Sequence, residues 1–153
     1  MDWSLADYLM AATLLALLVG GVVFLFSKRW CLAYRMGCAL SIATAVILFW
    51  VSGAVGIIGA SENDANLAYS ALLALGFLAS FAVRLKPGGM ALNFAALAAG
   101  QFLIGLFALI MGLGREGVSW PYDILAATIV FSLLWLGSAI AFRLAMKPAA
   151  ETV

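Results

Sequence analysis

Five long runs of apolar residues, joined by short polar connections, constrain this sequence more than any other feature. Each run is close to the ~20 residues that a helix needs to cross ~30 Å of hydrocarbon. A water-soluble domain cannot hide so much apolar surface, and 67% of the side chains are hydrophobic. The sequence therefore predicts an all-α, polytopic membrane bundle of five transmembrane helices in one domain over residues 1–153. The predicted spans are residues 8–26, 37–58, 67–83, 90–113 and 124–145.

Charge is distributed unequally between the two sides of this predicted bundle. Seven of the eight basic residues lie on one side, namely Lys28, Arg29, Arg35, Arg84, Lys86, Arg143 and Lys147. Six of the seven acids lie on the other side, namely Asp2, Asp7, Glu62, Asp64, Glu116 and Asp123. The positive-inside rule then predicts an external N-terminus and a cytoplasmic C-terminus. The net charge of +1 gives no indication of a nucleic-acid partner, so the predicted environment is the lipid bilayer.

Several residue types that carry chemistry are missing from the sequence. There is no histidine, which removes the commonest metal ligand and the usual general base. Cys31 and Cys38 lack the C-x-x-C spacing of redox and zinc sites. No Asp, Glu, Lys or Arg lies deep in a predicted span, where proton-coupled carriers and pumps usually need one. We therefore predict a protein that is not an enzyme, with no catalytic residue, no metal ligand and no cofactor.

The end of the second span is rich in small residues at helical spacing. Small residues let two membrane helices approach closely, so this stripe predicts a helix–helix interface. Its members are Ser52, Gly53, Gly56, Gly59 and Ala60. The alternative is a weak helix end beside a cavity, because glycine lowers helix stability.

The fourth span carries a second set of candidate packing residues: Ala96, Gly100 and Gln101. Ala96 and Gly100 are four residues apart, and Gln101 lies near the predicted bilayer centre. A buried amide at this depth usually hydrogen-bonds to another helix. The alternative is that Gln101 lines a polar pathway.

The connection after the second span contains two carboxylates and two amides within five residues. Ser61 and Asp64 have the spacing of a helix-capping pair for the third span. Capping leaves the other polar residues unexplained, and clustered oxygens of this kind also suit a hard cation or another ligand. The loop between spans four and five lies on the same side, and its Arg115 is expected to pair with Glu62 or Asp64. The candidate outer-face polar site is therefore Glu62, Asn63, Asp64, Asn66, Arg115 and Asp123.

The run Gly53-Ala-Val-Gly-Ile-Ile-Gly59, followed by the acidic and asparagine-rich loop ending at Asn66, resembles a segment of short uncharacterised bacterial inner-membrane proteins. The resemblance covers roughly residues 50–70 and the overall size. In that group a proline precedes the Ala-Asn pair, whereas this chain has Asp64 there. The resemblance implies a multi-pass protein of the bacterial cytoplasmic membrane, and it implies no activity.

Three functions are compatible with these patterns. The first is a non-catalytic subunit or scaffold that packs against itself, as a homo-oligomer, or against a larger membrane complex. The second is a small-solute or ion permease that works as an oligomer, because one short bundle encloses little volume. The third is an intramembrane enzyme that uses the outer-face carboxylates. The missing ionisable and nucleophilic groups favour the first function.

Overall fold

The computed structural model of the chain describes residues 5–27 and 30–146, and within these ranges it contains helices and no β-strand. The helices are α1 (Leu5–Ser27), α2 (Leu32–Ala54), α3 (Leu67–Ala82), α4 (Pro87–Met111) and α5 (Tyr122–Leu144). A short 3₁₀ helix, Asp64–Asn66, leads directly into α3. The prediction of an all-α chain is therefore confirmed. Part of the charge pattern behind the predicted orientation lies outside the described residues: Asp2, Lys28, Arg29 and Lys147.

Four helical segments are long and apolar enough to cross a membrane: Leu32–Ala54, Asp64–Ala82, Pro87–Met111 and Tyr122–Leu144. α1 includes a shorter apolar stretch, Ala11–Val23. The structure thus supports a multi-pass membrane protein with four candidate spans, and the fifth span through α1 stays a prediction. Four of the five predicted spans agree with the helices to within three residues at each end. The second does not, because α2 begins five residues earlier and ends four residues earlier than predicted.

Four of these helices form a closed ring. α5 packs against α4 and α2, and α3 packs against α4 and, less extensively, against α2. α1 packs mainly against α2, outside the ring. Lipid is as apolar as leucine, so the ring is held by close packing and interhelical hydrogen bonds rather than by the hydrophobic effect. Gly37, for example, allows the ring of Phe142 to pack directly against the backbone of α2.

The helix connections meet at two ends of the bundle. We call residues 55–66 with residues 112–121 the asparagine end, and residues 30–35 with residues 83–86 the basic end. At the basic end, the Tyr34 hydroxyl donates a hydrogen bond of 2.7 Å to the Leu85 carbonyl. Arg84 and Leu85 both adopt positive φ, at 54° and 57°. Tyr34 therefore ties the start of α2 to a turn whose backbone conformation is uncommon for residues with a side chain.

A continuous series of aromatic rings runs from the basic end into the bundle. Trp30 stacks on Tyr34 at 4.2 Å between centroids, and Tyr34 meets the edge of Phe142 at 5.0 Å. Phe142 stacks on Phe94 at 5.4 Å, and Phe94 stacks on Trp135 at 5.6 Å. Offset and edge-on pairs at these separations are favourable beyond simple burial. The series joins α2, α4 and α5 over the half of the bundle nearest the basic end.

Candidate functional site

Asn66 organises the asparagine end. Its side-chain oxygen Oδ1 accepts hydrogen bonds from the backbone N–H groups of Ile57 and Ile58, both at 2.9 Å. Its side-chain nitrogen Nδ2 donates to the carbonyls of Ala60 at 3.0 Å and Ile58 at 3.4 Å. An amide group has two donor hydrogens and two acceptor lone pairs. The buried Asn66 side chain therefore uses its full hydrogen-bonding capacity on the backbone of its own chain.

The glycine stripe predicted for the second span is not a helical stripe, and that prediction is wrong. α2 ends at Ala54, and the N–H groups of Val55 and Gly56 both bond to the Val51 carbonyl. Gly56 and Gly59 adopt φ values of +84° and +72°, which side chains strongly disfavour. A Cβ at Gly56 would lie 2.6 Å from the Ala60 carbonyl carbon, so Gly56 faces its own loop rather than another helix. The glycines permit a tight turn that folds back onto α2.

The other three residues of the predicted stripe, Ser52, Gly53 and Ala60, lie in different environments. Ser52 is buried in the last turn of α2, where its hydroxyl bonds to the Phe49 carbonyl at 3.2 Å. Gly53 and Ala60 are exposed, and Ala60 lies beyond the helix. Its carbonyl serves instead as an acceptor for Asn66. Ser52 is thus the one member of the five that packs inside the bundle as part of a helix.

The two loops of the asparagine end contact each other through glycines. A Cβ at Gly114, which has φ +73°, would lie 2.5 Å from the Gly59 nitrogen and 2.8 Å from the Ile58 carbonyl carbon. A Cβ at Gly59 would lie 3.1 Å from the Gly114 Cα. Two backbones can approach this closely only where neither residue has a side chain. The loops were expected to converge, and they do so through Gly59 and Gly114 rather than through charges.

Capping at the start of the third span differs from the prediction. Asn63, not the Ser61–Asp64 pair, supplies the side-chain cap: its Oδ1 accepts from the Ala65 N–H at 3.0 Å. Asp64 is the first residue of the 3₁₀ helix, where its charge complements the free N–H groups. Asparagine caps such a turn as well as serine does, so the sequence did not decide between the two.

Beside these loops lies a groove of about 210 Å³, lined in part by Ser61, Glu62, Asp64 and Ser70. Both carboxylate residues are exposed to solvent. The groove has the chemistry to receive a small polar or cationic group at its open side. Within the described residues, no three His, Cys, Asp or Glu side chains are grouped in a way that could hold a metal ion.

The expected ion pair of Arg115 is absent among the described residues. The Arg115 guanidinium lies 5.3 Å from the centroid of the Trp120 ring, and its side chain covers Gly112. Neither Glu62 nor Asp64 forms an ion pair with it in the described part of the chain. Asp123 is exposed in the first turn of α5. An exposed pair would gain only ~0–1 kcal/mol, so a cation–π contact of similar strength competes with it readily. Of the six predicted site residues, the structure thus groups Glu62, Asn63, Asp64 and Asn66.

The packing set predicted for the fourth span is correct only in part. Ala96 is exposed, whereas Gly100 lies against Leu72 of α3. Gln101 is fully buried, but neither its Oε1 nor its Nε2 has a hydrogen-bond partner among the residues that the structure describes. The interhelical bond expected of Gln101 is instead made by Asn93, whose Nδ2 donates to Gly76 O and Ser80 Oγ of α3, both at 2.9 Å.

Sequence reasoning missed three contributors to these sites: Tyr34, Gly114 and Thr128. Thr128 is buried on α5, its hydroxyl lacks a partner, and its Oγ1 lies where a Cβ at Gly105 would be. The segment Gly112-Leu-Gly-Arg-Glu-Gly117 was a usable signal for Gly114, because closely spaced glycines mark tight loops. No sequence pattern indicates the contacts that Tyr34 and Thr128 make.

Neither a protein-family model, nor a curated protein, nor a solved structure matches this chain.

Proposed function

We propose that this chain is a multi-pass protein of the bacterial cytoplasmic membrane that acts as a non-catalytic packing subunit. In this proposal it has five spans, with the asparagine end outside and the basic end inside. Arg84, Lys86 and Arg35 support that orientation, since they lie at the basic end and basic residues favour the cytoplasmic side. Glu62 and Asp64 are the corresponding acids at the opposite end.

The observation that carries the packing role is the complete internal use of Asn66. The polar loop was the strongest candidate for an enzymatic or ligand site. Asn66, its most buried polar side chain, forms all four of its hydrogen bonds with nearby backbone groups. Asn63 likewise serves as a cap. What remains is a rigid end on a bundle with extensive apolar faces, which suits a subunit that docks against other membrane helices.

The size of the assembly in native membranes tests this proposal. Extraction in a mild polymer or detergent, followed by measurement of the particle mass, should give a defined particle larger than one chain. Mass spectrometry of that particle distinguishes a homo-oligomer from a complex with a second protein. A particle containing one chain and no other protein would contradict the packing role.

A permease is the second candidate, and the unpartnered Gln101 and Thr128 side chains support it. Polar groups held inside a membrane bundle commonly mark a solute pathway. Purified protein in liposomes should then pass a small neutral solute, such as glycerol or urea, faster than empty liposomes do. Equal rates with and without protein would eliminate this candidate.

Single-cysteine labelling tests the orientation. In a chain whose Cys31 and Cys38 are replaced, Glu62→Cys should react with an impermeant thiol reagent added outside intact cells. Lys86→Cys should react only after the membrane is opened. Both positions are exposed, so burial does not confuse the result. Reaction of position 86 in intact cells would reverse or break the five-span proposal.

A further inference from the structure

Three helices of the ring bring unpartnered polar groups to one level of the bundle. On α4 this level runs from Gly100 to Gly105. It contains Gln101, which is 0% exposed and lacks partners for both side-chain polar atoms. Such groups are costly to leave unpaired in an apolar interior, because they have lost their hydrogen bonds to water.

Thr128 of α5 lies at the same level as Gln101. Its Oγ1 occupies the place of a Cβ on Gly105, one helical turn beyond Gln101. Cβ positions four residues apart on a helix are separated by about 5–6 Å. The Thr128 hydroxyl therefore lies roughly that far from the Cβ of Gln101. Thr128 is 5% exposed, and its hydroxyl has no hydrogen-bond partner in the described part of the chain.

Tyr69 of α3 provides the third group. It is 0% exposed, and its hydroxyl is unpartnered. It lies one turn before Leu72, whose side chain covers Gly100. Leu97 and Gly100 of α4 contact α3, and Gly105 of α4 contacts α5. Gln101 lies between these two surfaces of α4. It therefore points towards the centre of the ring rather than towards lipid.

We propose that Tyr69, Gln101 and Thr128 form a binding site for a small neutral hydrogen-bonding molecule of about the size of water, at the centre of the ring. None of the three groups bonds to another, yet all are enclosed, so a molecule between them satisfies what they cannot satisfy directly. A second protein chain cannot supply the partner, because Gln101 has no exposed surface. The described residues bring no charged side chain into this part of the bundle, so the ligand is neutral. This site goes beyond the packing role, which does not require it.

Gln101 is the only glutamine in the sequence, which allows a direct test with water as the probe. Protein labelled with ¹⁵N-glutamine and placed in lipid nanodiscs gives a single side-chain amide signal. Magnetisation should pass from water to this amide. In a second sample labelled with ¹⁵N-asparagine, the Asn93 amide, which is buried but bonded to Gly76 and Ser80, serves as the control and should receive none.

Two variants locate the bound water. Thr128→Val and Tyr69→Phe should each shift the Gln101 amide signal and weaken its transfer from water. Thr44→Val is the matched control, because Thr44 is equally buried but bonds to the Leu40 carbonyl of its own helix. It should leave the Gln101 signal unchanged. Absence of water transfer to Gln101 in the unmodified protein overturns the proposal without reliance on any variant.

Discussion

The asparagine end and the centre of the ring each contain a buried amide, and the two amides have opposite surroundings. The Asn66 side chain has four hydrogen bonds to backbone, whereas the Gln101 side chain has none within residues 5–27 and 30–146. The difference follows from what each amide can reach. In the loop that follows α2, backbone N–H and C=O groups have no helical partners, and Asn66 bonds to those of Ile57, Ile58 and Ala60. In the middle of a helix the backbone groups are already paired along the helix, so Gln101 has none to use.

Asn93 lies between these extremes. It sits within α4, as Gln101 does, but it faces Gly76 of α3, whose carbonyl accepts a hydrogen bond from the Asn93 Nδ2. Ser80, one turn further along α3, supplies a second partner. A buried amide in a membrane helix is thus satisfied where the facing helix presents a glycine carbonyl or a hydroxyl.

The largest effect is expected for Asn66→Ala. It removes both acceptor bonds from the buried N–H groups of Ile57 and Ile58. Each orphaned group costs ~1–3 kcal/mol, so we expect a loss of about 2–6 kcal/mol in the free energy of unfolding. Denaturant unfolding in detergent micelles measures it. Asn63→Ala is the control, because it removes a single cap worth ~1 kcal/mol. Equal losses in the two variants would mean that the Asn66 network does not hold the loop.

Gly114→Ala should be next. The substitution forces a side chain into φ +73°, at a cost of ~1–2 kcal/mol, and directs its Cβ against the backbone of Gly59. Backbone atoms in a tight loop cannot move aside as a flexible side chain can, so we expect a loss of at least ~2 kcal/mol. Gly88→Ala is matched to it, because a Cβ there meets only the Met146 sulfur at 3.1 Å. If both variants unfold alike, the two loops are not in backbone contact.

Asn93→Ala should destabilise less. Interhelical hydrogen bonds in membrane bundles are typically worth ~0.6–2 kcal/mol, and Asn93 makes two through one nitrogen. We expect a loss in that range, with faster proteolysis of the connection between α3 and α4. Ser80→Ala removes one of the two bonds and should cost less than Asn93→Ala. A larger loss for Ser80→Ala would assign the stabilisation to the serine rather than to the amide.

The smallest effect is expected for Gly100→Ala, and Gly105→Ala on the same helix is its comparison. A Cβ at Gly105 would displace Thr128, whose branched side chain is stiff, so Gly105→Ala should cost ~1–3 kcal/mol. A Cβ at Gly100 would meet a terminal methyl of Leu72, which can rotate away, so Gly100→Ala should cost under ~1 kcal/mol. Thermal unfolding in nanodiscs distinguishes the two. The reverse order would show that α4 approaches α3 more closely than it approaches α5.

Hydropathy predicted the helices better than it predicted where α2 ends. The apolar run continues to Ile58, but the helix stops at Ala54, since hydropathy carries no information on φ. Hydropathy also gives no indication of the positive φ values of Gly56 and Gly59, which explains the wrong prediction for these two residues. Glycine spacing can indicate close helix packing or left-handed turns, and only the backbone distinguishes them. Asn66 was singled out from the sequence because capping did not explain it, although its four bonds depend on a loop geometry that no spacing rule specifies.

For the polar side chains in the middle of the bundle, the sequence predicts burial but does not identify the hydrogen-bond partners. Gln101 was expected to be buried, and it is. Whether a facing residue reaches it depends on the rotation and depth of α3 and α5, which the sequence does not encode locally. Arg115 shows the same limit at the surface, where Trp120 lies five residues away in sequence and competes with more distant carboxylates.

The ring arrangement also sets an order of events during synthesis. α5 is the last of these five helices to leave the ribosome, yet it packs against both α4 and α2. About 90 residues separate the end of α2 from the end of α5, which at typical elongation rates is roughly 5–20 s. During that interval the part of α2 that packs on α5, around Gly37 and Leu40, lacks this neighbour. A ribosome that stalls before Tyr122 therefore leaves α2 and α4 without α5 between them. The α4 positions that contact α5 in the complete bundle, such as Phe94 and Ala98, then stay uncovered.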